Sequence, residues 1–221
     1  MTNLIEVRDL RVAYGRTLAL DGVDLTLDDG VAGLFGPNGS GKSTLLRVLA
    51  GLLRPTSGTV RAFGAALSMK NETLRGRIGY VGHRGGLYGR LTVMENLEMF
   101  ARLHGVDRPR AEVVTEQLGL NARRDTPVLA LSAGYRRRAA VARALLHEPD
   151  LLLLDEPYAN LDDEAAELVS AAVVSWRRPG RVAIIATHGA KKVKAYADAG
   201  LILQHGHLLK QGTYTAAGFT E

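Results

Sequence analysis

Gly36-Pro37-Asn38-Gly39-Ser40-Gly41-Lys42-Ser43 fits the pattern G-x-x-x-x-G-K-[ST] and lies between an apolar run, Val31 to Phe35, and the helically spaced Ser43 to Ala50. A short buried strand feeding a glycine-rich turn and then a helix is the context in which this pattern binds phosphate. The glycines let successive backbone N–H groups converge on an anion, and the helix N-terminus adds unsatisfied donors and the positive end of its dipole. Gly36, Asn38, Gly39, Ser40, Gly41 and Thr44 are therefore expected to line the site. Lys42 is placed to reach the outer phosphates, and the Ser43 hydroxyl to ligate Mg²⁺.

A chain of 221 residues holds one α/β core with a small inserted lobe, and hardly two independent domains. It contains no cysteine, which excludes disulfides, thiolate metal sites and cysteine nucleophiles and fits a reducing compartment. The net charge of +5 suits nucleotides, nucleic acid or an anionic membrane surface, and alone does not choose among them. No apolar run approaches the ~20 residues of a spanning helix and no signal segment is visible. The chain is accordingly expected to be soluble by itself, with any membrane role exercised through a partner.

Upstream of the loop, Leu4 to Val12 and Val23 to Leu27 alternate and read as an N-terminal antiparallel sheet. Tyr14 falls in the turn after the first of these, where it either packs or stacks on a base. Downstream, Gly51 to Gly58 turns the chain back, and Thr59 to Phe63 and Ile78 to Val81 are strand candidates, the second ending at Gly82-His83. From Arg84 the pattern becomes helical over Thr92 to His104 and Arg110 to Leu118, and Thr92 with Glu95 forms a capping box. Ser132 and the small Ala133-Gly134 pair precede a strong helix from Arg136 to Leu146. Ser132 is either a plain N-cap or part of a second anion site.

Leu151 to Leu154 followed by Asp155-Glu156 reads as a central parallel strand with an acidic tip at the carboxyl edge of its sheet. Alternation aims the two carboxylates differently, so Asp155 can serve the Mg²⁺ shell while Glu156 polarises an attacking water. Pro157 to Asp162 is a turn, and Glu164 to Trp176 a helix. Val182 to Ala186 is a further buried strand ending at Thr187-His188. That histidine is either a surface residue or a group that contacts a terminal phosphate. Leu201 to Gln204 and His207 to Lys210 form a terminal hairpin around His205-Gly206.

Taken in order, these segments resemble the ATP-binding cassette family over essentially the whole chain. Gly36 to Ser43 looks like its Walker A loop, Leu131 to Tyr135 its signature, Leu151 to Glu156 its Walker B strand, Ala159 to Asp162 its D-loop and His188 its switch histidine. Tyr14 matches its aromatic base-stacking position. The resemblance implies a single nucleotide-binding domain over residues 1–221. Its core is a mostly parallel P-loop sheet flanked by helices, with an N-terminal antiparallel β subdomain and a helical subdomain inserted over about 84–147. It implies an ATPase that uses ATP and Mg²⁺, with Glu156, His188 and Lys42 in the catalytic step and Ser43, Asp155 and His83 around the metal. It further implies a head-to-tail homodimer, or a heterodimer with a related ATPase, in which Ser132, Gly134 and Asp162 complete a nucleotide site across the interface. Integral membrane permease subunits are the implied partners, and the implied location is the cytoplasmic face of the cell membrane. A nucleic-acid-associated cassette is disfavoured, because such proteins in this family carry a long coiled-coil insertion or two cassettes.

Two positions depart from the family pattern. Ala133 and Tyr135 replace a glycine and the glutamine of LSGGQ, and His83 stands where the Q-loop glutamine is usual. His83 is expected to meet the Mg²⁺ shell or the attacking water. Gly82-His83 and the alanine at 133 are similar to the ATPase subunits of haem exporters used in cytochrome c maturation. Export of a drug, a lipid or another small molecule is the alternative cargo reading.

Overall fold

The computed structural model describes residues 4–188, 190–215 and 218–220. β1 (Ile5–Tyr14), β2 (Thr17–Leu27) and β3 (Gly30–Phe35) lead to α1 (Lys42–Leu49), then β4 (Ser57–Ala62), β5 (Ala65–Ala66), the short α2 (Glu72–Arg75) and β6 (Ile78–Val81). The helical insertion supplies α3 (Val93–His104), α4 (Arg108–Gln117) and α5 (Ala133–Leu145). β7 (Leu151–Asp155), α6 (Asp163–Trp176), β8 (Val182–Ala186), α7 (Ala190–Lys194), β9 (Ala199–Gln204), β10 (His207–Thr215) and β11 (Gly218–Thr220) follow. The expected strand Thr59 to Phe63 begins and ends earlier, and β5 and α2 occupy a stretch read only as a polar connection.

The N-terminal strands form an antiparallel sheet of order β2-β1-β4-β5. A second sheet has the order β11-β10-β9-β3-β8-β7-β6, parallel from β9 to β6 and antiparallel at β10 and β11. β7 and β8 are buried at every position, and β3 at all but its last. A strand covered on both faces needs a continuous apolar run rather than alternation, which is why these three lack a polar face. Leu151 and Leu153 pack with Leu45, Leu49 and Leu20 on one side, while Leu152 and Leu154 face Leu97, Leu118 and Leu145 of the insertion. One strand thus holds the antiparallel subdomain and the helical insertion to opposite faces of the sheet.

Because β3, β6, β7 and β8 run parallel, the loops that leave their carboxyl ends gather along one edge. Those loops carry the glycine-rich turn, His83, Asp155-Glu156 and Thr187-His188.

The insertion is fixed by polar contacts with local causes. Thr92 Oγ1 accepts from Glu95 N at 3.1 Å while Glu95 Oε2 accepts from Thr92 N at 2.8 Å, the expected capping box. Fully buried Asn96 accepts from Tyr88 N at 2.8 Å and donates to the carbonyls of Tyr88, Leu91 and Thr92, tying the loop before α3 to its first turn. The arginines of α5 are staples as well. Arg138 donates to Leu118 O and Gly119 O at 2.6 and 2.8 Å, Arg143 to Tyr80 O at 2.5 Å, and Arg137 to Gly82 O at 3.1 Å and Asp155 O at 3.4 Å. Guanidinium donors that reach the ends of β6 and β7 make α5 part of the scaffold of the site.

The rings of His104 and His147 stack at 3.9 Å between centroids, joining the end of α3 to the residue just beyond α5. Burial, with the His104 ring and Arg143 nearby, pushes the His147 imidazole down to about 4, against the opposing pull of the Ile78 backbone and of Asp150. The unfolded chain therefore takes up this proton at higher pH than the folded one, so the stabilisation is complete above about 6.5 and is lost as pH falls toward about 4. Melting temperature is expected to drop between pH 7 and 5, and to drop less in His147→Phe. Equal slopes in thermal melts of the two proteins would contradict this account.

Candidate nucleotide-binding site

The turn between β3 and α1 is shaped by close approach of backbone. At Gly36, with φ at 151°, a Cβ would lie 2.0 Å from Leu203 O, and at Gly41, with φ at 107°, it would lie 2.5 Å from Ala19 O. Any side chain at either position would displace main chain rather than a flexible neighbour. The terminal hairpin closes this contact, with Gly206 N donating to Ser40 O at 3.0 Å and Asp21 N to Gly206 O at 2.9 Å. Gly41 caps α1 without a side-chain hydrogen bond and the first turn holds no acidic residue, which leaves its N–H groups available to an anion. The Ser40 hydroxyl is buried without a hydrogen-bond partner among the described residues.

Lys42 Nζ donates to Gly36 O at 2.7 Å and Pro37 O at 3.0 Å, folding the side chain back over the turn. Burial lowers the affinity of the amine for its proton, and Glu156 and Asp155 oppose that shift. The lysine is thus a partly desolvated cation facing two carboxylates across the mouth of the phosphate loop.

Asp155 ends β7, buried, with its Cα in register with Ala186 of β8. Glu156 leaves the strand with φ at 50°, a left-handed turn that separates its carboxylate from that of Asp155. Its Oε1 accepts from His188 N at 3.0 Å and lies 2.9 Å from His188 Nδ1, and its Oε2 accepts from Thr187 Oγ1 at 3.1 Å. Three contacts from the end of β8 orient the proposed base. Glu156 and His188, expected from sequence to play separate roles, are in direct contact. The signal was present in two apolar runs ending in polar pairs, which become neighbours once β7 and β8 pair in register.

A cleft of about 470 Å³ brings Asn38 to Thr44, His83, Asp155, Glu156 and His188 together. This falls within the roughly 300–1,000 Å³ usual for small-molecule sites. The Ser43 hydroxyl and Asp155 carboxylate are hard oxygen donors, suited to Mg²⁺ held by one or two protein oxygens and by phosphates. Among the described residues no cluster of three or more His, Cys, Asp or Glu could hold a metal by itself. His83 is exposed on the wall of the cleft, and its nitrogen suits a water-mediated place better than direct Mg²⁺ coordination.

Five expected site residues lie outside the lining of this cleft, Gly36 at the start of the turn among them. Tyr14, at the end of β1, is 46% exposed. Ser132 caps α5, accepting from Tyr135 N at 3.3 Å, and Asp162 caps α6, accepting from Ala165 N at 2.8 Å. Gly134 abuts the turn before α6, where an added Cβ would come within 3.1 Å of Asn160 O. A single copy therefore joins the start of α5 to the turn at Ala159 to Asp162, and of that turn Ala159 lines the cleft with Lys42 while Ser132, Gly134 and Asp162 do not.

A family model described as ABC transporter matches residues 20–159. The chain is 37% identical over 217 residues to a daunorubicin/doxorubicin resistance ATP-binding protein of Streptomyces peucetius, covering 96% of this chain and 66% of that protein. It is 35% identical over 217 residues to a Nod factor export ATP-binding protein of Cupriavidus metallidurans, covering 96% of this chain and 72% of that one. Among solved structures, the ATP-binding subunit of an ABC transporter superposes with a TM-score of 0.86 at 28% identity, covering 95% of this chain and 90% of that chain.

Proposed function

Since this chain belongs to the ABC transporter family as an ATP-binding subunit, we propose that it hydrolyses Mg-ATP to drive export of a small molecule through membrane subunits. The observation that carries this reading is the meeting of Lys42, Asp155, Glu156 and His188 in one cleft at the phosphate loop. Bound Mg²⁺ would neutralise charge on the phosphates, and Ser43 and Asp155 are the residues that hold it. Lys42 and the loop amides bind the outer phosphates. Glu156, oriented by Thr187 and His188, accepts the proton of the attacking water, and His188 reaches toward the terminal phosphate. His83 meets the metal's water shell and relays nucleotide state to the helical insertion.

Tyr14 stacks on the base. Ser132, Gly134 and Asp162 serve the site of a second cassette, either another copy of this chain or a related ATPase, arranged head to tail. No helix among the described residues is long and apolar enough to cross a membrane. In this reading integral permease subunits provide the pathway and hold this chain at the cytoplasmic face. The loop from Arg84 to Arg90, pinned to α3 through Asn96, is the element that transmits closure to them. For cargo, relatives named for drug resistance and Nod factor export favour a drug or another small molecule. The haem reading rests on Gly82-His83 and Ala133. No direct nucleic-acid partner is required.

With ATP and Mg²⁺ the purified chain is expected to release phosphate, to stop when Mg²⁺ is chelated, and to be indifferent to added RNA or DNA. Tight ATP binding without phosphate release, or release that depends on nucleic acid, would overturn the proposal.

A further inference from the structure

A second, smaller cavity of about 130 Å³ lies well away from the phosphate loop, where α4 meets the ends of α5 and α6. Arg110 of α4, Arg178 after α6 and Arg181 before β8 line it together with Gln117, Ser175 and Glu148. Glu148 is the one carboxylate among the lining residues, so three guanidinium groups face a single negative charge.

The bonding of these arginines is incomplete. Arg181 is well seated, with Nη1 donating to Trp176 O and Nη2 to Glu148 Oε2, both at 3.0 Å. Arg110 is not. Its contacts to Leu145 O and Leu146 O, at 3.4 Å, are at the outer limit of a hydrogen bond, and its 3.6 Å approach to Glu148 Oε1 is an ion pair beyond that limit. Arg178 uses only Nη1, at 2.9 Å to Ser175 O and Arg177 O, and its other two nitrogens have no acceptor among the described residues. Glu148 itself stands at φ 48°, a left-handed conformation that turns its carboxylate back toward Arg181 and Arg110. The Arg181 hydrogen bond, with the charges of Arg110 and Arg178 added and burial opposing, holds that carboxyl below the usual range.

Like charges gathered around a cavity repel one another unless an anion offsets them, and guanidinium forks match the oxygens of phosphate or sulfate. We propose that the cavity bounded by Arg110, Arg178 and Arg181 is a binding site for a small inorganic oxyanion, phosphate or sulfate. Arg178 and Arg110 supply the donors that the protein leaves unused, and the small volume excludes a nucleotide. Because Arg110 belongs to the helical insertion and Arg178 and Arg181 lie in the turn that leads into the core strand β8, an anion held here ties the two together. This inference is independent of the proposed ATPase activity.

The test is thermal melting with sodium sulfate titrated against sodium chloride at matched ionic strength, in wild type, in Lys42→Ala, and in Arg178→Gln and Arg110→Gln each made in the Lys42→Ala protein. Lys42→Ala weakens the competing anion site in the phosphate loop, so its response isolates the second cavity. A saturable sulfate-specific rise in melting temperature is expected in wild type and Lys42→Ala. The apparent sulfate affinity is expected to weaken tenfold or more in each arginine variant. A rise that survives both arginine substitutions, that disappears in Lys42→Ala, or that chloride reproduces would overturn the proposal.

Discussion

Glu156→Gln is expected to keep ATP binding while lowering steady-state turnover by roughly 10²- to 10⁴-fold, the usual contribution of a positioned general base. The amide is nearly isosteric with the carboxylate, its oxygen can still accept from His188 N and its NH2 can donate to the Thr187 hydroxyl, so the left-handed turn and its contacts to β8 survive. What disappears is the capacity to take a proton. Nucleotide affinity is set elsewhere, by Lys42 and the loop amides, and should change little. Phosphate release measured beside nucleotide titration separates the two effects. Near-normal turnover in the variant would show that Glu156 is not the base.

Lys42→Ala is expected to act on the other quantity, weakening Mg-ATP binding by roughly ten- to a hundred-fold, as loss of charge-assisted hydrogen bonds of about 1.5–3 kcal/mol implies. The ammonium group also braces the turn by donating to Gly36 O and Pro37 O, so the nucleotide-free protein should melt at a slightly lower temperature. The pair of changes is diagnostic. A purely structural lysine would lower stability and leave the dissociation constant in the folded protein unchanged, whereas a phosphate ligand shifts that constant even where the fold is intact. An unaltered affinity would remove Lys42 from the site.

Much of this site can be read along the chain because its parts lie at element boundaries. Gly36 to Ser43 carries its own strand-to-helix context, Leu151 to Glu156 is an apolar run with an acidic end, and Thr92 with Glu95 encodes a helix start. What escaped is pairwise. The bond between Glu156 and His188 exists only because β7 and β8 are adjacent and in register, and no local pattern states which strands are neighbours. The same holds for α5, whose Arg137, Arg138 and Arg143 look like helix-favouring surface residues by composition. In the fold they reach carbonyls at the ends of β6, β7 and α4. Asn96 gives no sequence signal beyond its place in the first turn of α3, yet it anchors the loop expected to meet the membrane subunits. Ser132 shows the converse. Its capping role is visible in one chain, while a role toward a second nucleotide needs a second cassette.

The most direct test of the whole account is affinity purification of the Glu156→Gln protein from native membranes in the presence of Mg-ATP, with identification of the proteins that come with it. ATP bound without hydrolysis should hold two cassettes closed, and integral membrane permease subunits should be recovered together with this chain. A permease of a drug or other small-molecule exporter would fix the cargo class proposed here, and membrane proteins of cytochrome c maturation would move it to haem. Recovery of ribosomal or nucleic-acid material with no membrane protein would contradict the claim that this ATPase drives transport.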